Sequence, residues 1–112
     1  MNMAPQDSFL FVRKQHTLHR IQFKDICYIQ AEGNYCYLRV LDGKKYASKI
    51  SLRQLLTRLP EALFIRIHKS YVVNVHFLDK IDTKERQVFI GEETLPIGRT
   101  FISGFTDRML IL

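Results

Sequence analysis

The chain has 112 residues, of which 46% are hydrophobic and 25% charged. That is enough apolar material for one modest core and too little for two domains. Lys and Arg number 17 against 11 Asp and Glu, giving a formal charge of +6 and a pI near 9.6, which directs attention to an anionic partner such as nucleic acid or a membrane surface. Apolar runs such as Tyr71-Val72-Val73 and residues 109–112 fall far short of the roughly 20 residues needed to cross a bilayer as a helix, so no membrane contact is expected from this segment.

Residues 1–7 have neither a basic start nor an apolar stretch, so they are expected to form a flexible N-terminal tail, with a cytoplasmic location as the default. Leu10-Phe11-Val12, then Leu18, Ile21 and Phe23, then Ile26-Cys27-Tyr28-Ile29 are short runs rich in β-branched and aromatic residues, a pattern of strands. Gly33-Asn34 is a tight-turn signal. After it Tyr35, Tyr37 and Arg39 alternate with Cys36, Leu38 and Val40, so the strand carries two different faces. Asp42-Gly43 predicts a hairpin turn.

Ser51 with Gln54 three residues later reads as a capping box, and Leu52, Leu55, Leu56 and Leu59 form one apolar helical face that Pro60 ends. Phe64 to His68 returns to strand alternation, and Tyr71-Val72-Val73 reads as buried. The stretches 78–81 and 88–90 predict two strands joined by the charged residues Thr83-Lys84-Glu85-Arg86, and Gly91-Glu92-Glu93 turns the chain again. Phe101, Ile102, Phe105, Met109 and Leu112 recur at near-helical spacing and predict a C-terminal amphipathic helix, with Arg99 at its start and a cost of about 1 kcal/mol for Gly104 in its middle.

Nothing in the side-chain inventory points to an enzyme. There are no nucleophile-elbow glycines, no HExxH and no P-loop. The histidines His16, His19, His68 and His76 lack the ligand spacing of a zinc site, so neither a metal nor another cofactor is expected. Cys27 and Cys36 read as free thiols used as small apolar residues. The informative segment is 64–74. With Ile65 and Ile67 facing the core, Arg66 and His68 face outward beside the Lys69-Ser70 corner, a set of cations, an imidazole and a hydroxyl suited to phosphate and base-edge contact. The competing reading is an ordinary solvated strand end with Asn74 as a turn or cap residue.

Phe64, Arg66, His68, Ser70, Val73 and Asn74 resemble the F…R-x-H-x-S-x-x-V-N signature of the LytTR DNA-binding domain of bacterial response regulators. Three other stretches are similar to that family in the same order: Asp25 through Tyr35, the helix beginning at Ser51-Leu52, and Leu95-Pro96-Ile97-Gly98-Arg99. The resemblance implies a LytTR-type domain over residues 8–112. Its fold is mainly β, an elongated arrangement of small, mostly antiparallel packed sheets with one short helix and a C-terminal helix. It further implies double-stranded DNA as partner, read by loops entering successive major grooves. Asn34 and Tyr35 match one reading loop; Arg66, His68, Lys69 and Ser70 a second region; Arg99 a base-contacting position. Lys69 and Gly98 depart from the family's frequent residues. Repeated DNA sites, a homodimer on DNA, and a receiver or sensor domain in a full-length regulator are also implied. Alternatives are a basic β domain that stacks single-stranded nucleic acid on Tyr28, Tyr35, Tyr37 and Tyr46, or a protein-interaction and dimerisation module.

Overall fold

Short runs rich in β-branched and aromatic residues, separated by polar turns, produce strands rather than long helices, and the computed structural model, which describes residues 9–112, contains ten strands in three antiparallel sheets. The expected tail, residues 1–7, lies outside the described residues. Strands β1 (Phe9–Lys14) and β2 (Thr17–Gln22) form a hairpin. Strands β3 (Ile26–Glu32), β4 (Tyr35–Val40), β5 (Lys45–Ser48), β6 (Phe64–His68) and β7 (Tyr71–Asn74) form the central sheet in the order β5-β4-β3-β7-β6. Strands β8 (Lys80–Asp82), β9 (Gln87–Ile90) and β10 (Glu93–Pro96) form the third, in the order β10-β9-β8. The described chain measures 45 × 35 × 25 Å.

The central sheet is apolar on both faces, and this organises everything else. On one face Ile26, Ile29, Cys36, Leu38, Phe64 and Val72 pack with Val12 and Ile21 of the hairpin and with Leu52, Leu55 and Leu59. On the other, Tyr28, Ile65, Ile67 and Val73 pack with Val88, Ile90, Leu95, Ile97 and Phe105. The expected alternation in β4 is present, with Cys36 and Leu38 buried and Tyr35 exposed. Its two turns are held as predicted: Gly33 has φ +60°, Gly43 has φ +87°, and the Asp42 carboxylate accepts the Lys44 N–H at 3.0 Å.

Both helices are shorter than their apolar spacing predicts. Helix α1 (Leu52–Leu56) is capped by Ser51 Oγ, which accepts the Gln54 N–H at 3.1 Å, but the Gln54 side chain meets the Ser51 hydroxyl at 3.3 Å instead of its backbone N–H. A turn, not another helical turn, carries Leu59 into the core ahead of Pro60. Helix α2 (Ile102–Asp107) buries Phe105 and ends before Met109, leaving Leu110, Ile111 and Leu112 exposed. Met109 still packs against the second core, but from a turn closed by its N–H on the Thr106 carbonyl at 3.0 Å rather than from a longer helix. Two local features were not read from the sequence. Leu78 precedes β8 and follows a 3-10 turn at Val75–Phe77, and Glu93 to Pro96 forms an edge strand in which Pro96 sits at the end, where a missing N–H is tolerated.

Asn74, a signature residue, is fully buried. Its amide nitrogen donates to the carbonyls of Ile26 at 3.0 Å and Phe23 at 3.4 Å, and its oxygen accepts the His76 N–H at 2.9 Å. It thus caps the 3-10 turn and clips β7 to the β2–β3 connection. Replacing Asn74→Ala strands those groups in the core and is expected to cost about 1–3 kcal/mol in urea unfolding. An unchanged midpoint contradicts the assignment.

Candidate nucleic-acid interface

The end of β6 is set by a conflict between packing and register. Ile65 and Ile67 both belong to the second core, yet the pairing slips between Arg66 and His68, so that Arg66 faces Val72 and His68 faces Tyr71. The slip is a bulge, and bulges re-aim side chains at strand ends. Lys69 then stands exposed at the tip of the turn into β7.

Arg66 is not the outward, available cation expected from alternation. Its Nε donates to the His68 carbonyl at 3.2 Å and its Nη2 to the Lys69 carbonyl at 2.5 Å, while its guanidinium carbon lies 5.8 Å from the centroid of the Phe101 ring. It braces the turn from behind. His68 is likewise turned inward on the same corner: Nδ1 accepts the Ser70 N–H at 3.0 Å, and the ring stands edge-on to Tyr71 at 5.6 Å. An Nδ1 that accepts an N–H carries no proton of its own, which puts the ring proton on Nε2, and burial, with the neighbouring charges of Lys69 and Arg66, lowers the His68 pKa below its ordinary value.

Two backbone hydrogen bonds bring the other segments to this corner. The Ser70 carbonyl accepts the Ala31 N–H at 2.8 Å, close to the Gly33-Asn34 turn, and the Ile67 carbonyl accepts the Gly98 N–H at 2.8 Å, next to Arg99. Asn34, Tyr35, Arg66 and Lys69 line one groove. Arg99 is exposed and comes to the corner through its neighbour Gly98, not through that groove. It also stands outside α2, in a turn closed by the Phe101 N–H on the Gly98 carbonyl at 2.9 Å, rather than at the helix start.

Glycine at 98 has a local cause. A Cβ there falls 2.9 Å from Cδ2 of the Phe101 ring and 3.6 Å from the His68 backbone. Where the resemblance leads one to expect Ser or Ala, this chain has filled the space with an aromatic ring. Among the described residues Arg99 has no carboxylate partner, and Glu93 pairs with Arg39 at 3.8 Å instead. Tyr28 is buried beneath Arg39 and is unavailable for stacking, whereas Tyr35 is 44% exposed beside Tyr37.

Comparison with known proteins gives a consistent picture. The profile of the LytTr DNA-binding domain matches residues 16–109. The chain is 32% identical over 97 residues to an uncharacterized response regulatory protein of Vibrio cholerae, covering 81% of this chain and 37% of that protein. It is 29% identical over 105 residues to the heme-containing CO-sensing transcriptional regulator RcoM 1 of Paraburkholderia xenovorans, covering 87% and 39%. With the transcriptional regulatory protein BtsR of Escherichia coli it shares 23% identity, covering 82% and 39%. The chain therefore spans under two fifths of the length of these curated relatives. In fold it is similar to the LytTr DNA-binding domain of a protein described as a methyl-accepting/DNA response regulator from Bacillus cereus, with a TM-score of 0.79, 24% identity, and coverage of 90% of this chain and 95% of that one. The antiparallel β architecture, the ordered motifs and the matched span together establish that this chain belongs to the LytTR DNA-binding domain family.

Proposed function

We propose that this chain binds double-stranded DNA sequence-specifically, presenting three adjoining turns to successive major grooves, as the effector domain of a bacterial transcriptional regulator. One observation carries the reading: backbone hydrogen bonds tie the segments bearing Asn34, Lys69 and Arg99 to a single corner of the fold. In this reading Asn34, Tyr35, Lys69, Ser70 and Arg99 meet the duplex, and Arg66 and His68 shape the turn that carries Lys69. Arg99 addresses a guanine edge, a contact worth about 1–3 kcal/mol of discrimination. Lys69 neutralises a phosphate. One module of this size buries only roughly 600–1,000 Å² on DNA, so two copies on repeated sites supply the specificity. The greater length of its relatives supports a receiver or sensor domain elsewhere in the regulator.

Selection from random duplexes by the wild-type chain tests the reading as a whole. It predicts an enriched motif repeated at helical-turn spacing, which the corresponding single strands fail to compete away. No enriched motif, or equal competition by single strands, favours the stacking alternative instead.

The separate roles predict separable defects. Arg99→Ala is expected to lose preference at one base pair, and Lys69→Ala to weaken all duplexes and reduce the salt slope by about one. If both variants keep wild-type affinity and preference, these contacts are wrong. His68 adds a pH dependence. Its folded pKa lies below the ordinary 6.5, so the unfolded chain takes up the proton first as pH falls. The stability it contributes is present above about 6.5 and is lost as pH drops through the folded pKa. Urea midpoints of the wild type should therefore fall more steeply on acidification than those of His68→Gln, and parallel profiles contradict the sign.

A further inference from the structure

The groove lined by Asn34, Tyr35 and Lys69 extends past the reading turns to Lys49 and Arg53. We infer that it seats a backbone phosphodiester of the bound duplex, with Lys49 and Arg53 as the cations that hold it. This rests on the duplex-binding reading and adds a sequence-independent contact behind the turns.

Three observations carry it. The first is charge: Lys49, Arg53, Arg66 and Lys69 line the groove and no carboxylate does. The second is availability. Among the described residues, the ion pairs are Arg39 with Glu93 and Lys44 with Asp42, and neither Lys49 nor Arg53 belongs to one. Arg66 already serves the 68–69 carbonyls, so Lys49 and Arg53 supply the unspent charge on this wall.

The third is rigidity of the backbone from which they project. Lys49 sits between β5 and α1, where the Ile50 N–H meets the Ser48 carbonyl at 3.0 Å and the Cys36 thiol donates to the Ile50 carbonyl at 3.2 Å. Arg53 stands between Leu52 and Gln54 in a helix pinned by the buried Leu52 and Leu55. A compact ammonium and a guanidinium fork on a fixed wall suit a phosphodiester, which offers charge without base identity. Lys44 and Lys45 provide an internal comparison. They line a different cleft, with Lys14, His19 and Tyr46, beside the β1–β2 hairpin.

The test compares two double variants that remove equal charge, Lys49→Ala with Arg53→Ala and Lys44→Ala with Lys45→Ala. Each is measured for binding the duplex selected by the wild type, and an unrelated duplex of equal length, across a salt series. The groove variant is expected to reduce the slope of log affinity against log salt by about two on both duplexes and to lose about tenfold or more in affinity near 100 mM salt. Its preference between the two duplexes should stay unchanged. The Lys44 and Lys45 variant should keep the wild-type slope. Thermal melts confirm folding, and Lys49→Gln with Arg53→Gln replaces the alanine pair if that pair unfolds. Arg53→Lys alone should retain the wild-type slope. Equal slopes for the two double variants overturn the phosphate seat while leaving the reading intact, provided Lys69→Ala and Arg99→Ala still act. Insensitivity to all of these substitutions, or no duplex binding, overturns both.

Discussion

Two backbone hydrogen bonds, Ala31 to Ser70 and Gly98 to Ile67, determine what this domain presents to its surroundings. Each is worth only about 0.5–1.5 kcal/mol net, yet together they join three stretches separated by more than thirty residues in sequence. The β6–β7 turn is the hub. It receives the β3–β4 turn on one side through Ser70 and the segment before Arg99 on the other through Ile67. Arg66 and His68 then hold the hub's own shape from inside, one by donating to its carbonyls and the other by accepting an N–H from it.

This arrangement depends on a sheet that is covered on both faces. One side of the sheet is closed by the β1–β2 hairpin and α1, the other by the β8–β10 sheet and α2. With both faces committed to packing, the strand ends and turns are left to carry polar chemistry. Rigid strands beneath short turns are a favourable base for such chemistry, since little conformational freedom remains to be lost on binding. The β1–β2 hairpin is part of the first core, even though β1 precedes the span matched by the family profile.

Much of this was legible in the residues themselves. Alternation in β4, the turns at Gly33 and Gly43, and the Ser51 cap follow from period, positive φ and side-chain hydrogen bonding, all of them local properties. The ordered motifs carried the architecture. What escaped reading depends on partners distant in sequence. Arg66 looked outward by alternation, but the bulge and the carbonyls of 68 and 69 captured it. Asn74, weighed as a turn or cap residue, does cap a turn and also reaches back to Phe23 and Ile26, a link that spacing cannot reveal. The apolar spacing that predicts a longer C-terminal helix runs on to Leu112, yet Met109 meets the second core from a turn and Leu110 to Leu112 stay exposed, and glycine at 98 is explained only by the Phe101 ring beside it.

The most direct test of the central claim, that three turns engage one duplex side by side, is a backbone amide chemical-shift titration of the chain with the duplex it selects. The account predicts that residues 33–35, 68–70 and 98–99 shift together with a common saturation point, while the β1–β2 hairpin stays still. Perturbation centred on that hairpin, or confined to a single turn, would contradict it.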